Sequence, residues 1–342
     1  MSVVAFLLLA TMITAYVLLD GYDLGVAAIV PLVARTDSQR AAAMSSIGPF
    51  WNGNEVWLIA AGGALFALFP AAYAVSFSGF YLPFTIVLWL FMFRGIAMEV
   101  RNHFSGQVWH DFWDFAFSAS STLLILLLGI TLGNLLRGLP LSPQGYFLGT
   151  FAYLLNPYAL LVGLLAIGVL AQHGAAFLVL RVEGPPALRA RALLRVLWWV
   201  VLALYAIVTV ATGLERGFFT RAPALTAVLP LLSLATFFWL RTAGRAGREQ
   251  TAFAASCALL TTLLAAAAAT LFPYLLPSFP ARHGGLSIYD ASPSATALAT
   301  ALTATIAGLI IVVAYTLMAA RRMAGKPSER TSSRPSPEPR RP

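Results

Sequence analysis

The sequence is short of charge, cysteine and histidine, and each shortage excludes a class of protein. Charged residues make up 10% of the 342 residues, whereas a soluble domain carries about 25%, which excludes an ordinary water-soluble fold. Cys257 is the single cysteine, so neither an intrachain disulfide nor a CxxC metal site can form. The histidines are scattered, without an HxxxH or ExxH pair, so we expect any haem or other redox cofactor to belong to a partner. They are His103, His110, His173 and His283.

Apolar residues are correspondingly abundant, at 59% of the chain, and they form continuous runs long enough to cross a bilayer. We therefore predict an all-α, polytopic integral membrane protein with about nine transmembrane helices. The first run lacks the basic start and the cleavage site of a signal peptide, so we interpret it as a retained helix. The nine predicted helices are 3–33, 50–75, 78–100, 114–137, 151–181, 193–215, 222–241, 251–276 and 296–320.

The basic residues lie mainly on one side of these helices. The odd-numbered connections and the C-terminal tail contain 18 of the 22 Lys and Arg residues, and the even-numbered connections contain four. Because loops rich in Lys and Arg stay in the cytoplasm, we predict an outside N-terminus and a cytoplasmic C-terminus. We divide the chain into a nine-helix transmembrane domain, 1–322, and a disordered basic Pro/Ser-rich tail, 323–342, close to anionic membrane lipid. This placement accounts for the net charge of +9 without nucleic acid.

Asn52, Asn54 and Glu55 stand at the start of an apolar run that reaches Phe69. Ionisable groups at membrane depth are rare and generally mark proton or ligand paths, so Glu55 is a candidate proton carrier. The alternative is a helix N-terminus at the membrane surface, with Asn52 or Asn54 as its cap and two tryptophans in the aromatic belt. These tryptophans are Trp51 and Trp57.

Asp20 and Asp23 lie three residues apart within the first predicted helix, so they share one helical face. Two close carboxylates at that depth cannot both remain ionised without a cation or water, and a proton-holding pair is one interpretation. The other is a helix-packing site, in which Gly21 and Gly25 allow the close approach of a neighbouring helix and the acids hydrogen-bond to it. The two interpretations are compatible.

Arg94 and Glu99 lie near the cytoplasmic end of the third predicted helix, close to Arg101. Opposite charges that are neighbours at an interface usually pair, so we expect Glu99 to pair with Arg94 or Arg101. The alternative is that Glu99 is a carboxylate that takes up protons from the cytoplasm.

Three further polar residues are predicted to be structural. Asn134 and Arg137 end the fourth predicted helix on its outer side, and Asp290 is expected to cap the approach to the ninth. Each stands near a helix end, where polar side chains satisfy backbone groups that have no partner within the helix.

These segments together resemble subunit II of the cytochrome bd quinol oxidases, including the cyanide-insensitive branch. The resemblance extends in order over nearly the whole chain, and seven ordered matches are far more specific than any one of them. The matching segments are Asp-Gly-Tyr-Asp-Leu-Gly-Val (20–26), Trp-Asn-Gly-Asn-Glu-Val-Trp-Leu (51–58) with Gly-Gly-Ala-Leu-Phe-Ala (62–67), Phe-Ser-Gly-Phe-Tyr (77–81), Phe-Arg (93–94), Gly-Asn-Leu-Leu-Arg-Gly (133–138), Leu-Asn-Pro (155–157) and Asp-Ala (290–291).

The resemblance implies a multi-pass subunit of a quinol oxidase in the bacterial inner membrane, which is not catalytic alone. It implies a haem-free chain, with at most a structural quinone, paired with a subunit I of similar fold. Subunit I carries the b-type and d-type haems and the quinol-oxidation loop, and small accessory subunits can join the pair. The complex oxidises quinol, reduces dioxygen to water and takes up protons from the cytoplasm.

The candidate residues divide into two groups under this resemblance. The proton path is assigned to Glu55, Asp20, Asp23, Asn52 and Glu99. Structural or interface roles are assigned to Trp51, Trp57, Gly21, Gly25, Arg94, Asn134, Arg137 and Asp290.

The chain departs from the family at Asn52, where many members have an aspartate that is associated with the proton path near the subunit interface. An asparagine cannot release a proton, so either Glu55, one turn away, has taken this role or the path runs through subunit I alone. Two alternatives to the oxidase remain: a proton-coupled secondary transporter that uses Asp20, Asp23 and Glu55, and a purely structural membrane subunit.

Overall fold

Long runs of apolar residues give long helices here, and proline and polar residues set many of their ends. The computed structural model describes residues 1–142, 145–216, 223–279 and 284–322. A 3₁₀ turn, Arg101–His103, follows the fifth helix, and two short strands, β1 (Tyr274–Pro277) and β2 (Gly285–Ser287), pair antiparallel. The helices within these residues are α1 (Ser2–Val33), α2 (Asp37–Ile47), α3 (Trp51–Leu68), α4 (Pro70–Gly79), α5 (Tyr81–Val100), α6 (Gln107–Arg137), α7 (Phe151–Leu154), α8 (Pro157–Arg181), α9 (Pro185–Arg216), α10 (Pro223–Arg245), α11 (Glu249–Leu271) and α12 (Ala295–Arg322).

Eight helices in the described part of the chain are long and apolar enough to cross a membrane, namely α1, α5, α6 and α8–α12. This confirms the prediction of a helical, polytopic membrane fold, while the count of nine and the orientation stay predictions. The predicted helix 50–75 is two helices, because Pro70 has no backbone N–H to continue α3 and instead begins α4. The predicted tail, 323–342, lies outside the described residues.

Several predicted helix boundaries are wrong. The helices α6 and α9 begin earlier than predicted, at Gln107 and Pro185. The predicted helix 151–181 is divided into α7 and α8, because Asn156 caps α8: its side-chain oxygen accepts a hydrogen bond from the backbone N–H of Ala159 at 3.0 Å.

The helix α2 and the small sheet of β1 and β2 were not predicted. The helix α2 fills the connection after α1, and Thr36 caps it by accepting a hydrogen bond from the backbone N–H of Gln39. The predicted helix 251–276 ends at Leu271, and the chain continues into β1. The small sheet that β1 forms with β2 lies outside the all-α prediction.

The helix α8 is central, because it packs against α1, α6, α9 and α11. Its closest approach to α1 is at a pair of glycines. A Cβ added to Gly25 would lie 1.9 Å from the backbone oxygen of Leu170, and one added to Gly174 would lie 2.2 Å from the carbonyl carbon of Gly25. Only glycine fits at both positions, and Gly21 also faces Leu170. This contact fixes the segment of α1 that carries Asp20 and Asp23.

Candidate functional site

A fully buried arginine joins three helices near the middle of α1. Arg94, on α5, has no solvent exposure, and its Nη2 atom donates a hydrogen bond to Asp20 Oδ1 of α1 at 2.9 Å. Its Nη1 atom donates to Glu55 Oε1 of α3 at 2.6 Å. A guanidinium can hold two carboxylates at once through its fork of donors, and these two ion pairs compensate the cost of burying its charge.

A second carboxylate of α1 is bound by an asparagine. Asp23 has no solvent exposure, and its Oδ2 atom accepts a hydrogen bond from Asn54 Nδ2 at 2.7 Å. The same amide nitrogen lies 2.8 Å from the Tyr22 hydroxyl and 3.1 Å from the backbone oxygen of Leu19. Asn54 therefore ties α3 to α1 beside the arginine. We call Asp20, Asp23, Asn54, Glu55 and Arg94 the charge cluster.

The charge cluster contains more carboxyl groups than cations. Three carboxyls, those of Asp20, Asp23 and Glu55, face the single guanidinium of Arg94. Two polar atoms here are buried and have no protein partner among the described residues, so each can make one more hydrogen bond. They are Asp23 Oδ1 and Arg94 Nε, whereas the buried Tyr16 hydroxyl interacts with the carboxyl of Asp20. Such a site can bind and release a proton without rearranging its ion pairs.

Glu55 is the member of the charge cluster that reaches the protein surface, with its side chain 21% exposed. Beside it runs an exposed stripe of α3, whose members recur at helical spacing. This stripe consists of Asn52, Val56, Ile59, Gly63 and Phe66. Asn52 thus points away from the charge cluster, and it has no hydrogen-bond partner in the part of the chain that the structure describes. The asparagine that contacts an acid of the charge cluster is Asn54, which binds Asp23.

The role of Asn54 was not predicted, although the sequence contains a signal for it. The buried residues of α3 are Asn54, Trp57, Ala61, Ala64 and Leu68, and their spacing of three and four residues is that of one helical face. A polar residue in line with apolar ones faces the protein interior. It then needs a hydrogen-bond partner there.

The expected surface position of this segment is wrong for one tryptophan and for both caps. Trp57 is 6% exposed, and its indole N–H donates to the Thr316 hydroxyl of α12 at 3.2 Å, so it lies inside the protein. Trp51 begins α3 and its ring lies against Gly95 of α5. The N-cap of α3 is Phe50, without a side-chain hydrogen bond, so neither asparagine caps the helix.

The predicted pairing of Glu99 is also wrong. Glu99 is exposed and has no ion-pair partner among the described residues. Arg101 instead binds Asp114 of α6 through Nε at 2.5 Å and Asp37 of α2 at 2.5 Å.

A second arginine joins the same group of aspartates. Arg40 of α2 binds Asp111 at 2.6 Å and Asp114 at 3.0 Å, and these hydrogen bonds raise the pKa of Arg40 above its ordinary value. This arrangement holds α2 against the start of α6. We call it the surface network, and it consists of Asp37, Arg40, Arg101, Asp111 and Asp114.

The remaining polar residues named from the sequence stabilise the other end of α6. Asn134 is fully buried and donates to the backbone oxygen of Leu154 at 2.7 Å, while its side-chain oxygen accepts from Asn156 at 2.9 Å. Arg137 lies over the ring of Phe279, with 4.7 Å between the guanidinium carbon and the ring centroid. These contacts hold the loops that follow α6, α7 and β1 together.

The expected helix cap at Asp290 is wrong. Its Oδ2 atom accepts a hydrogen bond from the Ser287 hydroxyl at 2.5 Å and a weaker one from the Ser287 backbone N–H at 3.3 Å. Asp290 therefore closes the turn after β2. The helix α12 begins later, at Ala295, where Ser294 precedes it.

An apolar cavity of about 280 Å³ adjoins the charge cluster. It lies between α1, α6, α8, α9, α10 and α11, and Tyr16 and Gly21 of α1 form part of its wall. The cavity is lined almost wholly by aliphatic side chains, with a few hydroxyl groups, including those of Tyr205 and Thr212.

No cluster of three or more metal-ligating side chains occurs among the described residues. His173 is fully buried, but both of its ring nitrogens have partners: Nδ1 lies 2.8 Å from the Ser256 hydroxyl and Nε2 lies 3.1 Å from the backbone oxygen of Leu18. It therefore stabilises the contact of α8 with α11 and α1. His283 lies outside the described residues.

Comparison with known proteins places this arrangement in a family. The sequence model described as cytochrome bd terminal oxidase subunit II matches residues 1–323. The chain belongs to this family. Cytochrome bd-I ubiquinol oxidase subunit 2 of Escherichia coli is 30% identical, over 94% of this chain and 93% of the relative. Cytochrome bd ubiquinol oxidase subunit 2 of Bacillus subtilis is 30% identical, over 84% and 85%.

The fold is shared with a solved structure. The bd oxidase from Geobacillus thermodenitrificans contains a chain that is 19% identical to this one and superposes with a TM-score of 0.78, covering 95% of this chain and 99% of that one. Together with the apolar helices, the family makes this chain a multi-pass inner-membrane subunit of a bd-type terminal oxidase, an oxidoreductase.

Proposed function

We propose that this chain is the haem-free subunit II of a quinol:oxygen oxidoreductase and that it has two tasks. It supports a haem-bearing subunit I in the membrane, and it passes protons from the cytoplasm towards the site where dioxygen is reduced to water. The relatives support the assignment to a quinol oxidase, because those from Escherichia coli and Bacillus subtilis are named as ubiquinol oxidase subunits. The b-type and d-type haems then belong to subunit I.

The charge cluster is the observation that carries the proton role. Three carboxyls cannot all be ionised next to one buried guanidinium, since each uncompensated charge in an apolar interior is costly. The cluster therefore holds at least one proton in exchange with its surroundings. When Asp20 or Glu55 takes up this proton, its ion pair with Arg94 becomes a hydrogen bond to a neutral carboxyl, so the donors and acceptors stay in place.

Each member of the charge cluster has a distinct part in this proposal. Glu55 exchanges protons, because it is the carboxyl that reaches the surface, next to the exposed stripe of α3 where subunit I would bind. Asp20 and Asp23 hold protons deeper in the protein, and Arg94 and Asn54 keep them in position. Glu99 remains a proposed carboxylate for proton uptake at the cytoplasmic side, without a contact to the charge cluster in the described residues.

The apolar cavity beside the charge cluster suits a structural quinone. Its aliphatic walls fit an isoprenoid chain, and the side chain of Tyr16 forms part of its wall next to the charge cluster. A quinone bound there would fill the space between α1, α6, α8, α9, α10 and α11 and stabilise their packing.

The division of labour can be tested by expressing the chain with and without its subunit I. We expect the purified chain alone to show no haem absorption and no quinol oxidase activity, and the co-expressed pair to show both. A haem spectrum from this chain by itself would overturn the proposal.

A further inference from the structure

A second cavity, of about 690 Å³, opens between α8, α9, α10 and α11. It shares no lining residue with the charge cluster or with the apolar cavity. Five positive charges and one negative charge, that of Glu249, line it. The positive residues are Arg191, Arg195, Arg241, Arg245 and Arg248.

Most of this positive charge has no carboxylate partner. Arg191 forms an ion pair with Glu249. Arg241 lies over the rings of Trp198 and Trp199, 4.0 and 4.6 Å from their centroids. The other three arginine side chains have neither an ion pair nor a hydrogen bond within the described residues, and all three are exposed. The cavity therefore presents several free guanidinium groups to a ligand.

The inner part of the cavity contains a polar side chain that lacks a partner. Gln172 of α8 lines the cavity and is 1% exposed, yet neither its amide oxygen nor its amide nitrogen has a hydrogen-bond partner in the part of the chain that the structure describes. A buried amide without hydrogen bonds lowers the stability of the fold. A ligand that accepts a hydrogen bond from the amide nitrogen would satisfy that atom, and a hydroxyl group of the ligand could donate to the amide oxygen.

Two further features define the ligand. The helix α11 begins at Glu249 without a side-chain cap, so its first backbone N–H groups are free to bind an anion at the edge of the cavity. Apolar side chains, including Val179, Leu194 and Leu240, form the rest of the wall. A ligand with an anionic group and an apolar body complements both the arginines and the apolar wall. Arginines that only face water at the cytoplasmic side of the membrane would need neither a cavity nor the buried Gln172 beside them.

We propose that this cavity binds an anionic phospholipid, with its phosphate among the arginines and Gln172 and its glycerol backbone and upper acyl chains against the apolar wall. Basic pockets between transmembrane helices on the cytoplasmic side are suited to such headgroups.

Native mass spectrometry of the purified two-subunit oxidase, titrated with phosphatidylglycerol in detergent, tests this directly. The variant R195Q/R245Q removes two charges from the cavity, and the matched control R35Q/R321Q removes two exposed arginines outside it. We expect phosphatidylglycerol to bind about tenfold or more weakly to the cavity variant and within about twofold of wild type to the control. Equal losses in both variants would mean diffuse attraction and would overturn the proposal, as would unchanged binding in the cavity variant.

A neutral substitution and a soluble probe separate the remaining sources of binding. Gln172→Leu keeps the net charge, and we expect it to weaken phosphatidylglycerol binding about threefold or more, with an unchanged haem spectrum as evidence of assembly. Unchanged lipid affinity in this variant would contradict the assigned position of the phosphate. Inorganic phosphate at millimolar concentration should not displace the lipid; displacement would identify a site for free phosphate and overturn the lipid assignment.

Discussion

The charge cluster and the surface network are built from the same residue types, but they differ in depth and in charge balance. In the charge cluster one guanidinium, that of Arg94, is fully buried against three carboxyls. In the surface network two arginines face three aspartates; Asp111 is 52% exposed, whereas Arg101 and Asp114 are buried. The first lies between α1, α3 and α5, and the second joins α2 and α6 to the end of α5.

Depth determines what such a network can do. Water reaches Asp37, Arg40 and Asp111 of the surface network and screens their charges, whereas Arg101 and Asp114 are buried as a directly paired cation and anion, so an extra aspartate costs little there. In the charge cluster each charge must be balanced by a neighbour or removed by a proton. The surface network is therefore expected to act as a clamp on α2, and the charge cluster as a proton site.

Arg94→Gln should have the largest effect, because it leaves the buried carboxyls of Asp20 and Glu55 without a cation. Removing one partner of a buried ion pair costs about 3–5 kcal/mol, so we expect a large fall in the yield of assembled oxidase and in its Tm. Thermal unfolding of the purified complex, followed by haem absorption, measures this. A Tm close to that of Arg40→Gln would show that depth does not distinguish the two networks.

Asn54→Leu should have the next largest effect. It removes the donor that binds the buried carboxyl of Asp23 and leaves that group unsatisfied, at a cost of about 1–3 kcal/mol. The matched control is Asn52→Leu, which makes the same change two residues away on the exposed face of α3. Equal losses of Tm in the two variants would contradict the assignment of Asn54 to the charge cluster.

The residues of the charge cluster also show how much of the site can be predicted from the sequence alone. Asp20, Asp23, Glu55 and Arg94 can be named from their rarity in apolar surroundings, and continuous apolar runs predict the helical membrane fold. The partner of Arg94 cannot be predicted in this way. Glu99 is near it in sequence, whereas the actual partners are 74 and 39 residues away.

The difference arises because distant pairing depends on how helices pack. Glycines such as Gly25 and Gly174 set the approach of α1 to α8, and that approach determines which face of α1 meets α3 and α5. The buried position of Asn54, by contrast, could be predicted from the sequence. Asn54 lies three residues before Trp57 and seven before Ala61, and this spacing places it on the buried face of α3.

Glu55→Gln tests the proton role with less disturbance of the structure, since a glutamine oxygen can still accept the hydrogen bond from Arg94. We expect assembly, haem content and Tm to stay near wild type and the turnover of oxygen reduction to fall about tenfold. Oxygen consumption with excess quinol measures this, with Asn52→Ala as the control that retains turnover. Wild-type turnover in assembled Glu55→Gln would instead support a purely structural subunit.

Arg40→Gln should have the smallest effect. Arg40 is 22% exposed, and Arg101 still binds Asp114 and Asp37 when it is lost. Exposed ion pairs contribute little to stability and are screened by salt, so we expect Tm to fall by less than about 2 °C at low ionic strength. The difference from wild type should shrink further in 0.5 M salt, whereas the loss in Arg94→Gln should persist. A salt-independent loss in Arg40→Gln would mean that the surface network is shielded from water in the assembled oxidase. The two networks would then differ in depth in the isolated chain but not in the complex.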